Sequence, residues 1–297
     1  MLSNFLTTDD GDVVLRSGSN SDSQHDFRVH KFILSLASPV FKDMFTFSQP
    51  LDLTSNEPHQ LPVIDLPETT EILDIILRFI YPGIEPPNIT EPSTLTSSLV
   101  AADKYNITSI YPALSETLKA FLPTRSVWVY IIASRFGFLE VAKEAARLSS
   151  LQRLSCLDDR EDLQYISSTE FFRLFEFVQT REHEGMRKIS DLLDPYSLNP
   201  PAKCFLHGRK DPENYYLRLL SAVQEAFVAD PCIGIKDLFV VLNKIPDPPV
   251  GCEPTASWAC PLQPKYFRRR LSKVVSRLRN NETKLLDRLF ENGSGSG

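Results

Sequence analysis

The stretch Leu34-Ser-Leu-Ala-Ser-Pro-Val-Phe-Lys-Asp-Met-Phe45 decides how the first part of this chain is read. Around it, Phe32/Ile33, Leu34, Ala37, Val40/Phe41 and Met44 recur at three- and four-residue steps, the spacing of a buried helix from His30 to Phe45. Pro39 interrupts that run, because a proline inside a helix removes an amide and clashes with the preceding turn. Two short helices are therefore expected, with Ser38 capping the second. Upstream, Asp12-Val-Val-Leu15 is a short β-branched run that ends in the turn-rich Ser17 to Ser23. A second strand at about His25 to Val29 completes a hairpin with a long loop.

Downstream, Thr46 to Gln60 is polar and carries Pro50 and Pro58, which predicts a surface loop. Pro62-Val-Ile-Asp65 is a third strand, and Pro67 to Tyr81 a helix whose apolar face is Ile72, Ile75, Ile76, Phe79 and Ile80. Pro82-Gly83 stops it, and two further helices, about 93–105 and 108–121, close the first region. After Pro123 only helical patterns remain: Val127 to Phe136, Leu139 to Leu148, a segment around Tyr216 to Phe227, and about 265–290. Phe171, Phe172, Leu174, Phe175, Phe177 and Val178 are so dense that their helix is expected to be buried on most sides. The predicted fold is α+β at 1–122, an all-α region at 123–292, and a linker-like Gly/Ser tail at 293–297.

The totals exclude several classes. A net charge of -6 suits an ordinary soluble protein better than a surface built throughout for nucleic acid. No apolar run approaches the ~18 residues of a membrane span, and Met1 to Asp10 lacks the basic and apolar parts of a secretory signal. Five cysteines, thinly spread, make a poor disulfide framework and point to a reducing compartment, cytoplasmic or nuclear. There is no Walker lysine in a Gly-rich loop, no dinucleotide fingerprint and no nucleophile elbow. Glu182-His-Glu-Gly185 lacks the second histidine of a zinc-protease helix, so the expectation is a protein that is not an enzyme.

Asp12-Val-Val-Leu15, Phe27-Arg-Val-His-Lys31, Leu34 to Phe45, Ile64-Asp-Leu-Pro67, Phe79-Ile-Tyr-Pro-Gly83 and Ala101-Ala-Asp-Lys-Tyr105 occur in an order that resembles the BTB/POZ family over about residues 10–122. Residues 124–150 resemble the helical BACK region that often follows such a domain, and the whole layout is similar to fungal BTB proteins. The resemblance implies that Asp12 and His30 are a buried polar pair bridging strand and helix. It also implies a non-enzymatic adaptor or scaffold that works by protein–protein interaction. Cullin-3 is the partner suggested for BTB proteins with BACK-like regions, with Met44, Phe45 and Phe47 as contact residues. The matching stretch Phe45-Thr-Phe-Ser-Gln49 offers no Glu where that interface uses one. Leu2, Phe5 and Leu6 are too few for a swapped dimerisation helix ahead of Asp12, so a monomer or weak homodimer is expected.

Two features fall outside that reading. Lys265, Arg268, Arg269, Arg270, Lys273, Arg277 and Arg279 place seven cations and no acid in fifteen residues of the last helix. Such a run suits a phosphate-binding helix in a nucleic-acid-associated regulator, a solvated face, or a helix docked on an acidic surface of its own chain. Cys204-Phe-Leu-His207 has a spacing that lets both side chains reach one ion, and Cys252 and Cys260 lie in a Pro/Gly loop. Together they form a candidate structural zinc site. The alternative is a set of unpaired thiols, as most intracellular cysteines are.

Overall fold

The computed structural model describes residues 10–18, 24–46, 61–150, 154, 160–193, 212–230, 237–238, 240–241, 244 and 264–291. The chain divides into two units, one formed by Met1–Phe121 with Phe136–Phe138, the other by Leu122–Arg135 with Leu139–Gly297.

The first unit is built on a three-stranded sheet ordered β2-β1-β3, where β1 is Val13–Ser17, β2 Asp26–Val29 and β3 Val63–Leu66. β1 runs antiparallel to β2, with Leu15 opposite Phe27, and parallel to β3, with Leu15 opposite Ile64. Its central place explains its composition: Val13, Leu15 and Ser17 are buried on one face while Val14 and Arg16 alternate to the other. On that second face Arg16 grips the directly opposed Asp26 through two hydrogen bonds of 2.8 and 3.0 Å. This guanidinium holds the Asp26 carboxyl below the usual range.

Helices α1 (Lys31–Ala37) and α2 (Pro39–Thr46) meet at Ser38, as the sequence predicts. The Ser38 Oγ accepts the Phe41 amide at 3.0 Å and donates to the Tyr105 carbonyl at 2.5 Å. Phe41 is stacked between Phe45 and Tyr105, with ring centroids 6.1 and 4.7 Å away. α3 (Thr70–Ile80) is capped by Thr69, whose side chain accepts the Ile72 amide, and buries Ile72, Leu73, Ile75, Ile76 and Leu77. It begins three residues later than Pro67, because Thr69 is the first residue able to cap it. α4 (Pro92–Lys104) ends in a left-handed Asn106, with the Ile107 amide returning to Ala102 and the Asn106 amide to Asp103. This is a Schellman closure with asparagine where glycine is commonest. Beyond it Tyr105 donates to Glu68, which also receives Lys104, so the end of α4 is fastened to the start of α3. A 3-10 turn, Thr108–Ile110, leads into α5 (Tyr111–Lys119), and Tyr111 packs edge-on against Phe136 and Phe138 of the same unit.

The second unit is helical in all its described elements: α6 (Leu122–Arg135), α7 (Leu139–Leu148), a 3-10 segment (Arg160–Tyr165), α8 (Ser168–Leu193), α9 (Pro212–Ala229) and α10 (Pro264–Glu291). α6 bends at Arg125, two residues after Pro123, and then buries Ser126 to Ala133 without a break. An all-round apolar helix belongs at the centre of a helical unit. α7 offers it the small face Val141, Ala142, Ala145 and Ala146. The side chain of Arg181, on α8, is 6% exposed and donates to the carbonyls of Arg147, at 2.5 Å, and Ser149 at the end of α7. It thereby satisfies groups that a helix terminus otherwise leaves open. It also reaches the Ala146 carbonyl and Glu282 of α10, each at 3.5 Å. Gly185 of α8 faces the ring of Phe227, where a Cβ would collide, so glycine is what lets α9 approach α8.

Two sequence expectations need correction. The 171–178 segment is not buried on most sides: Leu174, Phe177 and Val178 are inside, but Phe172 is 66% exposed. One helix can bury only a stripe of such a cluster, and α8 spends its stripe on α9 and α10. Phe32 does not belong to the buried face of α1, of which only Leu34 is fully inside.

Candidate protein-interaction site

The site follows from how α1 is held. A seven-residue helix has little stability of its own, so both of its ends are tied to neighbouring structure. Its first amide, on Lys31, donates to the Asp12 Oδ1 at 2.7 Å, and at its far end the Ser38 hydroxyl donates to the Tyr105 carbonyl at 2.5 Å. The His30 amide, one residue earlier, donates to the Tyr81 hydroxyl at 2.7 Å. The same hydroxyl lies 3.2 Å from the His30 Nδ1, and the His30 Nε2 lies 3.5 Å from the Asp10 carboxylate. Burial raises the Tyr81 hydroxyl above its ordinary value.

Asp12 and His30 are therefore not a buried pair. Asp12 is exposed and His30 half-buried, and they act in parallel. Asp12 caps α1 across the chain, and His30 joins α1 to the end of α3.

Pinned this way, α1 presents Phe32 and Leu36 to solvent, 72% and 74% exposed. They are four residues apart and so share one face. Sequence reasoning missed the pair by placing Phe32 inside. The usable signal was arithmetic: five apolar residues (Phe32, Ile33, Leu34, Leu36, Ala37) in one seven-residue helix exceed what a single buried stripe can take.

Of the contact residues expected on α2, Met44 and Phe45 are half-buried, with Phe45 stacked on Phe41. Phe47 lies outside the described residues. So do Cys204, His207, Cys252 and Cys260, the candidate zinc ligands. Among the described residues no three of His, Cys, Asp and Glu come together as a metal group, and no helix is long and apolar enough to cross a membrane.

A small mixed sheet under short helices, with an exposed apolar ridge on a pinned helix, suits a protein-binding module. The family comparison gives the class its name. Residues 3–122 match the BTB/POZ domain family, so the first region of this chain is a BTB/POZ domain, an interaction module, followed by a helical region. The chain is also similar to the mouse (Mus musculus) TD and POZ domain-containing protein 5, at 34% identity over 83 residues. That alignment covers 28% of this chain and 22% of the mouse protein, so the likeness speaks for the domain alone.

Proposed function

We propose that the chain is a non-enzymatic adaptor whose BTB/POZ domain engages protein through the Phe32–Leu36 ridge of α1, weak self-association included. The observation that carries this is two large apolar side chains, each more than 70% exposed, on a helix that is held at one end by Asp12 and at the other by the Ser38–Tyr105 bond. Burying a Phe or Leu side chain is worth roughly 1.5–3 kcal/mol, so the pair supplies about 2–4 kcal/mol to a contact after allowing for the part already covered. At about 1.4 kcal/mol per tenfold, that strengthens an association by roughly thirtyfold to several hundredfold, bringing a millimolar contact into the range of a weak dimer or a transient adaptor contact.

Sedimentation over a micromolar concentration series, with partner capture and mass spectrometry, tests it on Phe32→Ser/Leu36→Ser. The expected result is a monomer that loses at least about tenfold in association, with folding stability within about 0.5 kcal/mol of the parent, as for surface changes generally. Unaltered self-association together with unaltered partner capture overturns the reading. A narrower version, in which Met44 and Phe45 receive cullin-3, is supported by the half-exposure of both side chains on α2. Purified cullin-3 N-terminal domain added to the same series distinguishes that partner from others.

A further inference from the structure

The last helix carries a feature the interaction module does not use. α10 is 28 residues long and contains nine Lys or Arg against three Asp or Glu, in a chain whose net charge is -6. Leu271, Val275, Leu286 and Leu289 are buried, and Glu282 turns inward to Arg181, so one face docks on the helical unit. At 100° per residue, Lys273, Arg277, Lys284 and Arg288 fall on the opposite face, within a sector of roughly 60°. All four are exposed, and none is in an ion pair with a described residue. Asn280 lies in the same row, Asp287 at its edge, and Arg279 is turned aside toward Glu282.

We infer that this outer face of α10 binds the phosphate backbone of duplex nucleic acid without sequence selectivity. The row runs about 22 Å at 1.5 Å per residue, a length over which each strand of a duplex presents about six phosphates. The choice of partner rests on what the face lacks as much as on its charge. Its exposed side chains between Leu271 and Phe290 are Lys273, Ser276, Arg277, Arg279, Asn280, Thr283, Lys284, Asp287 and Arg288, all of them polar. Protein interfaces concentrate their energy in aromatic and arginine anchors packed into desolvated pockets, and this row offers arginine alone, while single strands are held by stacking on aromatic rings. A phosphate backbone needs only cations and hydrogen-bond donors in a row. The inference is independent of α1 and goes beyond the adaptor reading.

Fluorescence anisotropy of the full chain with a random-sequence 30-base-pair DNA duplex tests it. Wild type is expected to bind in the micromolar range at 50 mM salt. With about four phosphates neutralised, affinity falls roughly a hundredfold on going to 200 mM. Lys273→Gln/Arg277→Gln/Lys284→Gln/Arg288→Gln, with unchanged helical circular dichroism, loses that binding, while Phe32→Ser/Leu36→Ser keeps it. If the quadruple variant does not fold, Lys273→Gln and Lys284→Gln singly each lower the salt slope by about one. No binding by wild type below about 100 μM at 50 mM salt, or binding indifferent to the substitutions, overturns the inference. So does displacement by poly-glutamate as effective as that by unlabelled duplex, which would replace the nucleic acid with an acidic protein.

Discussion

Ser38 shows how much one polar atom can settle in the first unit. It has no exposed surface, and its hydroxyl serves two partners, the Phe41 amide at the start of α2 and the carbonyl of Tyr105. Ser38→Ala removes both bonds and leaves a buried carbonyl without its donor, so the expected cost is about 2–3 kcal/mol, an N-cap loss of about 1 plus the penalty of an unpaired buried acceptor. Thr69→Ala, at the half-open cap of α3 with its 3.4 Å bond, is expected to cost under about 1 kcal/mol. Urea unfolding of the two variants side by side checks the ordering; equal losses would mean that the Tyr105 bond contributes nothing. The cap itself was legible in the sequence, because serine before proline before an apolar run has a local meaning. Its second partner was not, since Tyr105 lies 67 positions away and only the Schellman turn at Asn106 delivers its carbonyl. Asp12 and His30 show the same limit: the family resemblance implied a polar bridge, but which groups they would meet depended on where Lys31 and Tyr81 came to rest.

Among the elements, α8 holds the helical unit together, taking α9 through Gly185 and both α7 and α10 through Arg181. The ion pair between Arg181 and Glu282 is less favourable than it looks. Burial raises the Glu282 carboxyl above its ordinary value of about 4.5 by more than the neighbouring guanidiniums lower it. The folded unit therefore holds that proton more tightly than the unfolded chain does. The stability this group carries is full below about pH 4.5 and is lost as pH rises through the raised folded value. Glu282→Gln keeps an acceptor for Arg181 and removes the titration. It is expected to be at least as stable as the parent at neutral pH, with an advantage that shrinks as pH falls toward 4.5. Denaturant midpoints at several pH values decide this, and a variant clearly weaker than the parent at pH 7 would contradict it. Sequence periodicity found α8 and α10 as helices but could not rank their faces. The aromatic density at 171–178 suggested an interior helix, whereas Phe172 points to solvent because the neighbours occupy only one side.

For the whole molecule, the two units do not divide the chain at a single point. Phe136–Phe138 belong with the first unit although α6, which precedes them, belongs to the second. A fragment ending at residue 122 consequently lacks the two rings that pack edge-on against Tyr111 at 6.5 and 5.6 Å. At about 0.5–1.5 kcal/mol per aromatic pair, the isolated fragment is expected to unfold cooperatively but about 1–3 kcal/mol more easily than the same unit in the full chain. Full-length Phe136→Ala/Phe138→Ala should show a comparable loss, and a fragment of undiminished stability would argue that these rings matter little. By itself the sequence determined the elements, their order and the family: strands with two-residue alternation, helices with their caps and stops, and the motifs from Asp12 to Tyr105 are all local patterns. The tertiary structure decided which surplus apolar residues are left outside. A short helix can turn only one stripe inward, and which stripe depends on neighbours far along the chain. Phe32 and Leu36 became the candidate site for that reason, and Lys273, Arg277, Lys284 and Arg288 became one row because Leu271, Val275, Leu286 and Leu289 fixed the opposite face of α10 against the helical unit.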